Sequence, residues 1–148
     1  MFDKSKTLAL GCDQGGYALK EYIKIKLAES GYSVRDFGAY TPDSIDYPDV
    51  VHPIASAVNQ GQFQMAVLIC GSGNGVCMTA NKYAGIRAAL CWNTELARLA
   101  RAHNNANILC LPGRFISDNE ALSAVKAFLT TEFEGGRHQA RIDKIPLK

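Results

Sequence analysis

The sequence lacks the features that mark membrane-spanning, secreted and nucleic-acid-binding proteins. No apolar run approaches the length of a membrane span, and the first residues, 1–6, contain no hydrophobic leader. The formal charge is only +2 over 148 residues, and no run of five like charges occurs. We therefore expect no membrane partner and no nucleic acid partner, and we predict a cytoplasmic location.

Paired cysteines are also missing. The chain has five cysteines, an odd number, and none of them forms a C-x-x-C pair. A disulfide framework and a structural zinc site both need thiols in pairs at regular spacing. We therefore expect reduced thiols, most of them buried, and no metal site.

Short apolar strands alternate with helices along the chain. This alternation predicts βαβ units in one α/β domain covering residues 1–148, a Rossmann-like three-layer sandwich around a parallel sheet. We expect five strands in the order 2-1-3-4-5. The predicted strands are 7–12, 32–37, 65–70, 86–91 and 107–111, and the predicted helices are 17–30, 48–59, 76–82, 94–103 and one capped by the Ser117–Glu120 box.

The stretch 65–82 organises the rest of the chain. An apolar run, Met65–Cys70, has the length and composition of a strand buried on both faces. Gly71–Gly75 follows and places three glycines and two small polar residues in five positions, before a helical segment. Strand, glycine loop and helix in this order direct free amide groups toward an anion. The alternative is a tight turn, because the loop has neither the P-loop lysine nor dinucleotide-binding spacing.

In the predicted sheet, ligands bind outside the carboxyl ends of the strands, where the strand order reverses. The loops Gly11–Gly16 and Gly71–Gly75 meet there, so we expect Asp13 and Cys70 to face one crevice. Cys70 is then a candidate catalytic thiol. The alternative is a small core residue, since three other cysteines lie at similar strand ends.

Basic residues near the C-terminus suggest a phosphate site. Arg137 and Arg141 are spaced i, i+4, so a helix would present both guanidinium groups on one face. The alternative is a solvated basic terminus. Arg114 follows a strand end, where ligand-facing residues collect. His103 and Asn104 are two further candidates that have structural alternatives. His103 could be a histidine that interacts with the dipole at a helix C-terminus, and Asn104 could be the residue that ends the helix.

Together these motifs resemble the family that contains ribose-5-phosphate isomerase B and the galactose-6-phosphate isomerase subunits. The resemblance covers nearly the whole chain. It implies a metal-independent aldose–ketose isomerase with the five-stranded fold and no cofactor. The residues that carry it are Gly11–Asp13, Asp46–Pro48, Cys70–Gly75, Ala80–Lys82, Gly85–Arg87, His103–Asn104, Gly113–Arg114, Glu134–His138 and Arg141.

The resemblance also implies residue roles. Cys70 becomes the base that abstracts a proton, and His103 the acid that helps to open the sugar ring. The glycine-loop amides hold the enediolate, Asp13 and Asn104 contact sugar hydroxyls, and three arginines clamp the phosphate in the segment 114–141. The substrate-binding residues implied are Asp13, Gln14, Tyr47, Gly71, Ser72, Gly73, Asn74, Gly75, Asn104, Arg114, Arg137 and Arg141.

One position departs from the family pattern, and another separates the chain from some relatives. Relatives that lack the cysteine place a glutamate base just after the glycine loop, where this chain has Val76, so Cys70 is the available candidate. The family usually has Asp-His after the first strand, whereas here Gln14 follows Asp13. A neutral amide carries no charge, and this difference puts the substrate in doubt.

We therefore keep ribose 5-phosphate as the expected substrate, interconverted with ribulose 5-phosphate, beside a six-carbon alternative such as allose or galactose 6-phosphate. A non-catalytic sugar-phosphate or nucleotide-binding module is the second alternative, supported only by Asp36 at the end of the second strand. The resemblance implies a homodimer, or a dimer of dimers, with shared active sites. His103, Asn104 and Arg114 would then serve the partner's crevice.

Overall fold

The computed structural model describes all residues, 1–148, and forms five strands and six α-helices. The strands are β1 Thr7–Cys12, β2 Ser33–Asp36, β3 Ala66–Cys70, β4 Ala88–Leu90 and β5 Ile108–Pro112. The helices are α1 Tyr17–Glu29, α2 Tyr47–Asn59, α3 Asn74–Ala80, α4 Thr94–Asn104, α5 Asp118–Thr130 and α6 Arg137–Ile142. A membrane crossing needs a longer and more apolar helix than any that this chain forms.

The sheet is parallel and five-stranded, as predicted, but its order is β2-β1-β3-β5-β4. The expected order 2-1-3-4-5 is therefore wrong in its last two strands. The reason lies in burial: every residue of β5 is buried, whereas the three residues of β4 are half-exposed. The more apolar strand takes the inner position. As a result, β5 pairs with β3, and Pro112 lies opposite Cys70.

Helices cover both faces of the sheet and complete the predicted three layers. Alternate residues of β3 point to opposite faces: Val67 and Ile69 face α1, α4 and α5, whereas Ala66, Leu68 and Cys70 face α2 and α3. Two apolar cores result, one of 22 and one of 14 buried residues. The sulfur of Cys70 therefore belongs to the smaller core, beneath the start of α3.

Side-chain caps fix the ends of the two helices that lie beside the larger core. Asn93 accepts a hydrogen bond from the backbone N–H of Leu96 at the start of α4. Ser117 accepts one from the backbone of Glu120, so half of the predicted capping box is confirmed. The other half is wrong, because the Glu120 carboxylate instead accepts from the backbone N–H of Thr94 at 2.7 Å. That bond ties α5 to the start of α4.

Candidate active site

The loops that follow β1, β3 and β5 meet at the carboxyl edge of the sheet through direct main-chain contact. A Cβ atom on Gly15 would lie 2.7 Å from the amide nitrogen of Gly71, and one on Gly113 would lie 2.7 Å from the carbonyl oxygen of Gly15. A Cβ on Gly16 would lie 2.6 Å from the carbonyl oxygen of Ile69. Only glycine fits at these three positions. They bring together the loops that form the predicted crevice.

Cys70 is the last residue of β3 and lies at the base of this junction. Its carbonyl oxygen accepts a hydrogen bond from Gly113 at 2.8 Å, and its side chain is 5% exposed. The N–H of Arg114 donates to the carbonyl oxygen of Gly71 at 3.0 Å. The Arg114 guanidinium lies 3.1 Å from where a Cβ of Gly71 would stand. The structure thus places Arg114 beside Cys70 and the glycine loop of its own chain.

The glycine loop leaves main-chain donors unused next to Cys70. Asn74 donates its N–H to the Ser72 hydroxyl at 3.2 Å, but the N–H groups of Gly71, Ser72, Gly73 and Gly75 donate no hydrogen bond within the chain. Gly73 adopts a positive φ of 78°, a conformation that glycine reaches without strain, and α3 starts directly after it. The loop can therefore offer several amides to one oxyanion.

The other predicted crevice residues lie around the same opening. Asp13 accepts a hydrogen bond from the N–H of Gly15 at 2.8 Å, which fixes its carboxylate at the end of β1. The side-chain oxygen of Gln14 accepts from the N–H of Ile45 at 3.0 Å and ties the loop before α2 to β1. Tyr47 begins α2, and its ring packs where a Cβ of Gly75 would stand.

A buried ion pair supports the loop after β2, on the rim of the crevice. Lys20 is fully buried and donates to the Asp36 carboxylate at 2.7 Å and to the carbonyl oxygen of Ala39 at 2.6 Å. Lys24 and the N–H of Gly38 also donate to Asp36. Burial alone would raise the pKa of Asp36, but these hydrogen bonds outweigh it and lower the pKa from its ordinary value of 3.8.

The remaining cysteines are less suited to catalysis at neutral pH. Burial raises the pKa of Cys12 to about 11 and that of Cys91 to about 12, and it raises the pKa of Cys110 well above the ordinary value. A hydrogen bond with Cys110 lowers the pKa of Cys77. However, the Cys77 sulfur lies 3.4 Å from the carbonyl oxygen of Ala88, where β4 begins, and not at the carboxyl edge.

The other four predicted site residues lie at the opposite edge of the sheet. Helix α4 starts after β4 at the carboxyl edge and ends at the amino edge, only a few residues before β5. Because Ala66 pairs with Ile108 and Cys70 with Pro112, the α4 end and Cys70 are separated by roughly 13 Å of strand. One chain therefore does not bring His103 to its own Cys70.

Helix α6 packs against the C-terminal end of α4 and completes a second group of polar side chains. Arg87 donates to the carbonyl oxygens of Asn104 and Asn105, which caps α4 and fixes its last turn. A cavity of about 300 Å³ lies beside this turn and is lined by His103, Asn104, His138, Arg141, Ile142 and Ile145. The amino-edge cluster, as we call this group, consists of His103, Asn104, Glu134, Arg137, His138 and Arg141.

Comparison with known proteins matches this fold and these motifs. Residues 8–145 match the Ribose/Galactose Isomerase family model. The chain is 44% identical over 143 residues to a probable ribose-5-phosphate isomerase B of Mycoplasma genitalium, with 95% of this chain and 94% of that protein covered. The chain belongs to the ribose/galactose isomerase family.

Solved structures agree with this assignment. The ribose-5-phosphate isomerase B of Mycoplasma genitalium, solved with bound ribulose-5-phosphate, superposes with a TM-score of 0.92 at 43% identity and covers 97% of this chain and 95% of that one. By sequence alone, the chain is also similar to a D-erythrulose-4-phosphate isomerase of Pectobacterium atrosepticum, with 39% identity over 141 residues that cover 94% of this chain and 92% of that protein. Within the ribose/galactose isomerase family, the chain is an aldose–ketose isomerase of the ribose-5-phosphate isomerase B type.

In this chain, the residue at the position of the alternative glutamate base is a valine, and it lies away from solvent. Val76 is fully buried in the smaller core, among α2, α3 and the sheet. Neither its chemistry nor its location provides a base. Cys70 therefore remains the candidate base at this edge of the sheet.

One group of side chains in this isomerase has the composition of a metal site. The ligand atoms of His103, Glu134 and His138 lie within 4.8 Å of one another. The two imidazole rings, however, are stacked 4.3 Å apart with only 11° between their planes. The nitrogen lone pairs lie in the ring planes, so parallel rings cannot direct both pairs at one ion. The group does not ligate a metal ion as it is placed.

Sequence reasoning missed two members of the amino-edge cluster, Glu134 and His138. Both lie in the Glu134–His138 motif, and their i, i+4 spacing is a usable signal, but His138 points away from the face that Arg137 and Arg141 share on a helix and so receives no role from the arginine pattern. The tight contact of Gly113 with Gly15 was also missed, because it depends on β5 lying next to β3.

Proposed function

We propose that the protein interconverts ribose 5-phosphate and ribulose 5-phosphate without a metal ion, through an enediolate. The observation that carries the proposal is the arrangement around Cys70. It combines a thiol at a strand end, unused amides on Gly71, Ser72, Gly73 and Gly75, and the Arg114 cation over the same loop. Moving a proton between adjacent carbons needs a base and an oxyanion trap, and the Cys70 thiol and the loop amides are the groups that suit these two roles.

Cys70 and the glycine loop are sufficient for the proton transfer between C2 and C1 of the sugar. The Cys70 thiolate takes the C2 proton of the open-chain aldose, and the electron pair forms the C1–C2 double bond while charge collects on O1. The amides of Gly71–Gly75 hold that charge. The O2 proton then moves to solvent, C2 becomes the carbonyl carbon, and the Cys70 thiol returns its proton to C1. O1 is protonated from solvent, and ribulose 5-phosphate results.

A second copy of the chain completes the site. The crevice contains the base but only one arginine, whereas the amino-edge cluster contains the predicted acid and two arginines, at the other end of the strands. A twofold dimer that sets the amino-edge cluster of one subunit against the crevice of the other brings the two halves together. His103 then gives a proton to the ring oxygen as the C1–O4 bond breaks, the C1 hydroxyl proton passes to water, and solvent reprotonates the imidazole.

The substrate has a specific rival. The side-chain oxygen of Gln14 already accepts a hydrogen bond from the N–H of Ile45. The side-chain NH₂ group of Gln14 is therefore the part that can donate to a ligand. The likeness to a D-erythrulose-4-phosphate isomerase makes a four-carbon substrate a candidate beside the six-carbon ones. A nucleotide-binding module is disfavoured, because two lysines and a backbone N–H already occupy the Asp36 carboxylate.

The deciding experiment is incubation of the purified protein with ribose 5-phosphate in the presence of a chelator, followed by NMR. Appearance of ribulose 5-phosphate is the expected result. Erythrose 4-phosphate, allose 6-phosphate and galactose 6-phosphate are assayed in parallel under the same conditions. Faster turnover of one of these would reassign the substrate, and no turnover of any sugar phosphate would overturn the proposed function.

A further inference from the structure

Three side chains of the amino-edge cluster, His103, Glu134 and His138, lie in contact, and the proposed mechanism assigns a role only to His103. One carboxylate oxygen of Glu134 lies 3.6 Å from Nε2 of His103, and the other lies 3.7 Å from Nε2 of His138. The two rings are stacked in parallel at 4.3 Å. A single carboxylate thus faces the same nitrogen of both histidines.

The backbone holds Glu134 in this place. Its N–H donates to the carbonyl oxygen of Ala102 at 2.9 Å, so the segment between α5 and α6 is fastened to the last turn of α4. Gly135 and Gly136 then take positive φ values of 69° and 58°. This turn, which glycine makes without strain, leads directly into α6 and lays His138 back over His103.

The environments of the two histidines differ. His138 is buried, and its Nε2 makes no hydrogen bond. Burial, then the charges of His103 and Arg137, lower the pKa of His138. His103 is half-buried and lines the cavity at the end of α4. The lowered pKa favours the neutral form of His138, whereas His103 is the ring that is more exposed at the cavity.

We propose that Glu134 and His138 are positioning residues for His103. Glu134 faces the Nε2–H of His103 and so orients the ring, which leaves Nδ1 as the nitrogen that faces the sugar. His138 covers one face of the same ring and prevents it from turning. This inference rests on the proposed function, in which His103 opens the sugar ring.

Measuring the reaction from each of its two sugar phosphates distinguishes a defect in ring opening from a defect in proton transfer between the carbons. Ribose 5-phosphate is a closed ring and needs the acid before it can react. Ribulose 5-phosphate stays open, because its O5 carries the phosphate and no five-membered ring can form. Exchange of its C1 hydrogen with deuterium from solvent therefore needs Cys70 and the loop amides, but not His103.

The test compares Glu134→Gln with Glu132→Gln, an exposed carboxylate of the same segment, in both reactions followed by NMR. We expect Glu134→Gln to slow consumption of ribose 5-phosphate by about tenfold or more, while deuterium exchange into ribulose 5-phosphate stays within about twofold. Glu132→Gln should change neither. His138→Phe, which keeps a flat ring, should retain more conversion than His138→Ala.

Three outcomes overturn the inference or its basis, and they are distinguishable. Wild-type conversion by Glu134→Gln shows that the carboxylate does not position the acid. Equal loss of conversion and exchange, with the melting temperature unchanged, shows that Glu134 acts on the whole site and not through His103. A wild-type protein that performs neither reaction overturns the proposed function, and this inference with it.

Discussion

The two edges of the sheet carry the two halves of the proposed site and build them by different means. At the carboxyl edge, main chain meets main chain at Gly15, Gly71 and Gly113, and the chemistry depends on amides and one thiol. At the amino edge, side chains from α4, from α6 and from the segment between α5 and α6 supply two imidazoles, a carboxylate and two guanidinium groups. The first half consists mainly of main-chain groups around one thiol, whereas the second consists of ionisable side chains. This division predicts that the two halves respond differently to substitution and to pH.

The largest effect is expected at the carboxyl edge. Cys70→Ala removes the proposed base and should lower conversion of ribose 5-phosphate roughly 10²–10⁴-fold. Binding should persist, since the base acts mainly in the chemical step. Turnover by NMR and ligand binding by calorimetry measure these two effects. Cys77→Ala is the matched control, and a wild-type rate in Cys70→Ala would exclude Cys70 as the base.

Mixing two inactive variants tests whether the halves belong to different chains. Cys70→Ala damages only the crevice, and the double variant Arg137→Ala with Arg141→Ala damages only the amino-edge cluster. If a dimer shares its sites, random mixing leaves about a quarter of the sites intact, and activity returns to about that fraction. Assays before and after subunit exchange measure the recovery. No recovery, with mixed dimers shown by mass spectrometry, would mean that each chain builds its own site.

At the amino edge a single substitution should affect binding more than chemistry. Arg137→Ala removes a charge-assisted hydrogen bond to the phosphate and should raise KM by about tenfold or more, with a smaller change in kcat. Steady-state kinetics with ribose 5-phosphate measure both constants. Lys126→Ala, which removes an exposed cation from α5, is the control. An unaltered KM would leave the tail a solvated basic terminus.

The smallest effect is a difference in the pH at which each half loosens. The pKa of His138 is below its ordinary value of 6.5 in the folded protein, so its contribution to stability is present above pH 6.5 and is lost as pH falls through the lower folded value. His103, Arg137, Glu134 and Arg141 are the charged groups around it. The amino-edge cluster should therefore loosen first on acidification.

The carboxyl edge should hold to a lower pH. The pKa of Asp36 is lowered from 3.8, so the stability from its bonds with Lys20 and Lys24 is present above pH 3.8 and is lost only below it. Hydrogen exchange, corrected for intrinsic rates, should show the Glu134 amide losing protection between pH 7 and 5 while that of Ala39 keeps it. Simultaneous loss of protection at both amides would contradict this order.

Much of the fold follows from the sequence because the signals are local. The apolar run before Cys70, the cap at Ser117 and the glycine loop each depend on neighbouring residues, and each predicts the element observed. The exchanged positions of β4 and β5 did not follow, since neighbour relations in a sheet are not local. Burial explains them afterwards: Ile108–Leu111 is wholly apolar, whereas β4 contains two alanines that bury little area.

The candidate site was predicted in parts for the same reason. Asp13 and Cys70 follow from the rule that ligands bind at the carboxyl ends of parallel strands. The role of His103 came from the resemblance, whereas Arg137 also followed from its i, i+4 spacing with Arg141. The location of both at the amino edge depends on the direction in which α4 returns and on α6 packing against its end. The pairing of Glu120 with Thr94 in place of its own cap shows that a long-range partner can displace a local one.

The glycine junction of the three loops also limits how this family can change. No side chain separates the loops, so no side chain there can be exchanged to reshape the floor of the crevice. A change in the size of sugar that the crevice accepts must therefore come from residues at its rim, such as Gln14 and Tyr47. The other source is the second chain that covers the crevice in the proposed dimer. A new sugar preference can therefore evolve by replacement of a few rim residues, while the floor that contains Cys70 and the proposed proton transfer stays the same.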